Sequence, residues 1–451
     1  MEILIAAVLL SLCTGSGGHP SHQYGNIENR MKYSGSEGTE EWAYVNVRHS
    51  AHMFYWLYYS MAPAGFHNVP LVLWLQGGPG GSSTGFGNFE ELGPLDVSLK
   101  PRNTTWLSLA SLLFVDNPVG TGYSYVDRDD AYATNNDMIT RDMIVLLEAF
   151  FMKADPQFQK VPFYIFSESY GGKMAASISS GLKMAIQSGQ IKCNFKGVAM
   201  GDSWISPVDS VMTWGPYLYT NSLVDLPGLE QINVDANKTK QLIDEGKWKD
   251  ATDQWSATED LVESVTHGVN FYNILKWGGS EIQKGYKKNI SSKLARLFHL
   301  MVAPFEQDDL DKLMNGPIRQ KLKIIPENVQ WGGQSENVFT KLSGDFMKPV
   351  ANVVDQLISN YTDLDVIVYS GQLDLIVDTL GTEKWVHRMK IAPEFIKSTR
   401  VPFVDPVSGF VTGYLKKKDN FSFYWVLGAG HMVPADNGSG CLMMLKLIFS
   451  P

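Results

Sequence analysis

Cysteine is nearly absent: Cys13, Cys193 and Cys441 are the only three in 451 residues. That excludes a disulfide-stapled scaffold, and a chain of this length buries a core without one. Cys193 and Cys441 form one disulfide or stay as two thiols; their positions in the sequence do not choose. Long apolar runs are missing too. No segment reaches the ~20 apolar residues that span a bilayer, so no membrane anchor is expected. Basic charge is also short: 38 Lys and Arg against 47 Asp and Glu leave a net charge of −9. With no long basic run, a nucleic-acid partner is excluded. None of the nine His pairs with Cys or carboxylates at a metal-ligand spacing, so no metal and no cofactor is expected.

What is present points to a folded, secreted chain. Hydrophobic residues make up 44% and aromatics 12%, which excludes disorder. The apolar run 3–13 is too short to span a membrane and leads into Thr14-Gly15-Ser16-Gly17-Gly18. It reads as a secretory signal peptide over 1–18; Glu2 in place of a basic n-region is its irregularity, and a buried first helix is the alternative. Six N-x-Ser/Thr sequons, at Asn103, Asn237, Asn289, Asn360, Asn420 and Asn437, agree with a secreted or lysosomal glycoprotein.

Strand-like runs alternate with helical ones. Residues 43–47 and 53–59 read as a hairpin, and 71–75 and 111–115 as strands buried on both faces. Helical spacing runs through 138–152; a strand over 162–166 and a helix over 173–187 follow, then a strand over 195–200. From about 209 to 314 the chain turns charged and helical, with 238–257 the clearest helix, and reads as an insertion or lid. A separate helical domain is the alternative. A helix over 350–358, a strand over 365–369, a hairpin of 410–415 and 421–427 at the sheet edge, and a closing helix to about 447 complete it. The expected fold class is α/β, a mostly parallel sheet with helices on both faces, its core split into 19–208 and 315–451.

Glycine-rich loops follow four of these strands, where open α/β sheets place their ligands. One is Ser167-Glu168-Ser169-Tyr170-Gly171, a strand–turn–helix with a central Ser, close to the nucleophile elbow Gly-x-Ser-x-Gly. A Ser nucleophile needs a base oriented by an acid. Strand ends supply Ser169, Asp374 and His431 in the order Ser, Asp, His. Each alone has an ordinary reading, as turn Ser, capping Asp or core His. The three in that order are rarer than their parts.

Whole segments then resemble the serine carboxypeptidases of α/β-hydrolase fold. Trp74 to Ser83 is similar to the family's WLNGGPGCSS, Glu91-Leu92-Gly93-Pro94 to its ExGP, and Asp116 to Tyr125 to DQPVGTGFSY. Phe166 to Gly172 resembles the GESYGG elbow, Ser370 to Asp374 the loop of the catalytic Asp, and Gly430 to Pro434 the GHMVP block. Gln76, Gly81 and the Ser-Glu-Ser elbow most resemble the family's retinoid-inducible branch. The resemblance implies Ser169 as nucleophile, His431 as base, Asp374 as its acid, and the Gly78 and Tyr170 amides as oxyanion hole. It implies that Trp74, Gln76, Gly77, Glu91 and Glu168 hold the substrate's free carboxylate, with raised carboxyl pKa values. Peptide or protein C-termini are the implied substrates, and the oligomeric state is left open, a homodimer included.

Three positions depart from the family: Gln76 stands for Asn, Gly81 for a disulfide-bonded Cys, and Ser167 for the elbow Gly, where a Cβ is expected to crowd the turn. The function expected is removal of single C-terminal residues at acidic pH through an acyl-enzyme. A catalytically weak or inactive binding protein on the same fold is the alternative those departures raise.

Overall fold

The computed structural model describes residues 25–35, 38–276, 307–406 and 408–450. The expected signal peptide over 1–18, Cys13 and the sequon at Asn289 lie outside them. The strands are β1 (Asn26–Gly35), β2 (Gly38–Arg48), β3 (Ala51–Tyr58), β4 (Leu71–Leu75), β5 (Ser111–Val115), β6 (Tyr125–Val126), β7 (Pro162–Glu168), β8 (Asn194–Gly201), β9 (Asp365–Gly371), β10 (Arg400–Val404), β11 (Val411–Lys418) and β12 (Phe421–Val426). They form one sheet in the order β1-β2-β3-β5-β4-β7-β8-β9-β12-β11-β10, with β6 beside β3. Pairing is parallel from β5 through β12 and antiparallel on both flanks. Helices cover both faces.

Strands β4 and β5 are buried at every residue, which is why LVLWL and SLLFV carry no polar alternation. Helix α1 (Asn136–Lys153) starts where the Asn135 side chain accepts the Met138 N–H at 3.0 Å. Helix α2 (Tyr170–Gln187) begins directly after β7 and one intervening Ser. Between β8 and β9 lie α3 (Pro207–Thr220), α4 (Leu226–Asp244), α5 (Trp248–Thr266) and α6 (Glu336–Phe346) among the described helices. Beneath the C-terminal ends of β4 and β7, Trp106 packs edge-on to Trp74 and Phe166, with centroids 5.5 and 5.2 Å away. Truncating such rings costs about 3–5 kcal/mol.

Two expectations need correction. The single helix expected over 238–257 is two, because the chain reverses at Gly246, whose φ of +71° suits glycine. The hairpin expected at the sheet edge lies one strand in, since β10 pairs outside β11. Pro402 gives β10 an interior N–H gap that only an edge strand tolerates. Cys193 and Cys441 are both free thiols.

Strand order reverses at β4, with β5 on one side and β7 on the other. In open α/β sheets such a switch point opens a crevice at the strands' C-terminal ends. Leu75 pairs with Ser167 there, so the loops leaving β4 and β7 start side by side.

Candidate active site

The elbow is built by strain and close approach. Ser169 sits between β7 and α2 with φ +77° and ψ −121°, a conformation non-glycine residues rarely adopt. A Cβ on Gly77 would fall 2.4 Å from Ser169 Cβ; one on Gly171 would fall 2.3 Å from Leu75 O, and one on Gly172 1.9 Å from Ser203 Oγ. These glycines let the turn press against the loops that follow β4 and β8. Tyr170 opens α2, so its N–H lacks a helical acceptor and sits at the positive end of the helix dipole. Ser167 does not crowd the turn: it is still within β7, and its hydroxyl donates to Ala199 O at 3.2 Å.

His431 and Asp374 arrive from the loops after β12 and β9. His431 Nδ1 lies 2.8 Å from Asp374 Oδ2. The His431 N–H donates to Tyr272 O at 2.7 Å, and the Tyr272 ring stands edge-on to the imidazole at 4.9 Å. Burial lowers the His431 pKa to about 4 and holds Asp374 well above the usual carboxylate range.

Ser169 and His431 share the wall of a cavity of about 400 Å³, counting its open mouth, with Gln76, Gly77, Gly78, Glu168 and Gln334. Gln76 uses its whole amide: Oε1 accepts the Trp74 indole N–H at 2.7 Å, and Nε2 donates to Glu91 at 2.9 Å and Glu168 at 3.1 Å. The extra methylene of Gln therefore fits between three fixed partners. Trp74 and Glu91 are fully buried and both hydrogen bond to Gln76, which stands on the cavity wall. Glu91 is raised to about 7, chiefly by burial. Glu168 is raised well above its ordinary value, by burial and then by the charge of Glu91. The two carboxyls hydrogen bond to each other, which requires a proton shared between them.

Where the family has a Cys, Gly81 is strapped without covalent help. Ser82 N–H donates to Gly333 O at 2.9 Å, Ser335 N–H to Gly80 O at 3.0 Å, Gln334 Nε2 to Pro79 O at 2.8 Å and Trp331 Nε1 to Ser82 Oγ at 3.1 Å. A Cβ on Gly81 would stand only 3.1 Å from Gln334 Oε1. On the other side, buried Asp116 ties the β5 loop to the β4 loop, accepting from Ser82 Oγ, Thr84 N and Tyr123 N at 2.8–3.0 Å.

Sequence reasoning missed Tyr272, Gln334 and Asp202. Tyr272 and Gln334 come from segments between β8 and β9 that carry no local signal. Asp202 did carry one, since it follows β8 at the same sheet edge as Ser169 and Asp374. Of the sequons, Asn103, Asn237 and Asn360 are exposed. Asn420 and Asn437 use their side-chain amides inside the protein. Asn420 Nδ2 donates to Ile358, Tyr361 and Leu364 carbonyls, and Asn437 Nδ2 to Thr412 Oγ1 and Leu427 O, while its Oδ1 caps the last helix.

Residues 32–450 match the serine carboxypeptidase family. The retinoid-inducible serine carboxypeptidase of Mus musculus is 54% identical over 418 residues, covering 91% of this chain and 92% of its own. Its Homo sapiens counterpart is 53% identical over 418 residues with the same coverage. Among solved structures, Kex1(delta)p, a prohormone-processing carboxypeptidase from Saccharomyces cerevisiae, superposes with a TM-score of 0.77 at 20% identity, over 91% of each chain. That likeness shows the shared α/β-hydrolase fold. Among the described residues, no helix is long and apolar enough to cross a membrane.

Proposed function

The chain belongs to the serine carboxypeptidase family, and from that premise we propose that it removes single residues from peptide C-termini at acidic pH through Ser169, His431 and Asp374. The observation that carries this reading is the 2.8 Å His431–Asp374 contact beside a cavity wall shared by Ser169 and Glu168. Ser169 Oγ attacks the last peptide carbonyl while His431 takes its proton, and Asp374 holds the imidazole by Nδ1. The Gly78 and Tyr170 amides receive the oxyanion. His431 then gives its proton to the departing amino acid, and a water deprotonated by the same His releases the acyl group.

Exopeptidase action needs an anchor for the free α-carboxylate. Gln76, Gly77 and Glu168 stand on the wall for that contact, with Trp74 and Glu91 fixing Gln76 from behind. A protonated Glu168 can donate to a carboxylate; an ionised one repels it. Below about pH 7 Glu91 takes up a proton of its own, which leaves the Glu168 proton free for the substrate carboxylate, and the base works above about pH 4, where His431 is neutral. Activity on the acidic side of neutrality follows from those two limits.

Accommodation of Gln76, Gly81 and Ser167 favours this over an inactive binding protein, since no departure displaces a reacting group. Tyr272 on the wall supports reading 209–314 as a cover over the sheet's C-terminal edge. The exposed sequons support a secretory route, secreted or lysosomal, which a mobility shift on endoglycosidase treatment checks. The function is tested by release of free amino acids from N-blocked dipeptides near pH 5. Unchanged turnover in folded Ser169→Ala would sink it.

A further inference from the structure

Asp202, the residue after β8, is held at a φ of +39°, in the left-handed region that side chains other than Asn and Asp avoid. Its N–H donates to Tyr369 O at 2.9 Å and its Oδ1 accepts the Gly371 N–H at 2.8 Å, so it is tied to β9 at both ends. The side chain is buried, and Oδ2 has no N–H or hydroxyl donor. The group it meets is Asp374, to which its carboxyl hydrogen bonds.

We propose that Asp202 is a positioning residue for the reaction: its carboxyl-to-carboxyl hydrogen bond holds Asp374 with Oδ2 turned to His431. The proposal rests on the reading of Ser169, His431 and Asp374 given above. Two carboxyls hydrogen bond only with a proton between them, so the pair carries one proton and one negative charge. Asp374 then accepts from His431 Nδ1 at 2.8 Å, from Val377 N–H at 3.3 Å and from Asp202. Ionisation of Asp202 is opposed first by burial and next by the Asp374 charge.

The other titratable groups around the pair are Asp378 in the Asp374 turn, Tyr369 on β9, Tyr217 on α3, Glu168 at the end of β7, Tyr272 against His431, and His431 itself. Only His431 among them can become positive. When Asp202 ionises, Asp374 loses a donor and gains a like charge beside it, and His431 is drawn towards its charged form. Alignment is therefore lost as pH rises.

Labelling of Ser169 by a fluorophosphonate reads this side of the site without the carboxylate anchor. Asp202→Ala is expected to slow labelling about ten- to a hundredfold at acidic pH, the effect of one lost hydrogen bond to a charged group. Asp202→Asn restores it to within about threefold, because the amide keeps both bonds, accepting from Gly371 N–H and donating to Asp374. The wild-type rate falls as pH rises and Asp202 ionises, and in Asp202→Asn that fall is absent. The downfield proton resonance of His431 Nδ1–H persists in Asp202→Asn and shifts or vanishes in Asp202→Ala. Wild-type labelling by Asp202→Ala, or the same alkaline fall in Asp202→Asn and wild type, overturns the proposal. Should Asp202→Ala not fold, the comparison of Asp202→Asn with wild type decides. A wild-type protein that does not label sinks the Ser169 reading instead, and the resonance then decides for Asp202.

Discussion

Gln76 reaches across the switch point of the sheet to Glu168, its Nε2 lying 3.1 Å from Glu168 Oε1. The same nitrogen serves Glu91 at 2.9 Å, so one amide joins the loop after β4, the wound segment Ser83–Leu92 and the end of β7. Both carboxyls keep their second oxygens buried and turned from any N–H donor. The shared proton between them makes the anchor sensitive to pH.

KM for N-blocked dipeptides is expected to rise in the wild type above about pH 7, where Glu91 ionises. In Glu168→Gln it stays flat, because an amide donates at every pH. Glu168→Ala raises KM at pH 5 by about ten- to a hundredfold. Stability follows the same groups. Their folded pKa values lie above those of the unfolded chain, so the stabilisation is full below the unfolded pKa of about 4.3 and is lost as pH rises through about 7. Thermal midpoints across that range, flattened in Glu91→Gln, check the sign.

The acid limb belongs to His431. Its kcat profile is expected to fall below about pH 4 as the imidazole takes up a proton and ceases to be a base. Asp374→Asn, which keeps the shape of the acid but not its charge, lowers kcat by about 10⁴-fold. A kcat profile unaltered down to pH 3 would falsify the assignment of the base.

Gly77→Ala places a methyl 2.4 Å from Ser169 Cβ and 2.9 Å from its Oγ. Stability should drop by about 1–3 kcal/mol. Displacing the hydroxyl should cost on the order of 10² in kcat. Denaturant melts and single-turnover rates measure the two effects separately.

Asn420→Gln should leave the glycan mass unchanged and lower stability by about 1–3 kcal/mol, since the longer amide abandons three carbonyls near the start of β9. Asn103→Gln should do the reverse, removing mass without unfolding cost. Intact-mass spectrometry with thermal melts distinguishes the two sites.

The parallel centre was legible because strands buried on both faces are apolar throughout, as 71–75 and 111–115 show. β1 escaped notice because most of its residues are exposed and carry no apolar alternation, and β10 because Pro402 interrupts it. Ser169, Asp374 and His431 were legible for a related reason: each lies just past a strand, in a loop whose glycines mark a tight turn. A sequence records such local geometry directly.

By itself, then, the chain determined its fold class, its family and the order of the residues that meet at the cavity. Tertiary structure alone decided that Trp74 and Glu91 stand behind Gln76, that Tyr272 packs on His431, and that Asp202 backs Asp374. It decided too that Asn420 and Asn437 spend their amides inside the protein. The reason is physical. Contacts between separate segments of the chain, such as Tyr272 with His431, and the burial that moves the pKa values of Glu91 and His431, arise only when those segments exclude water together.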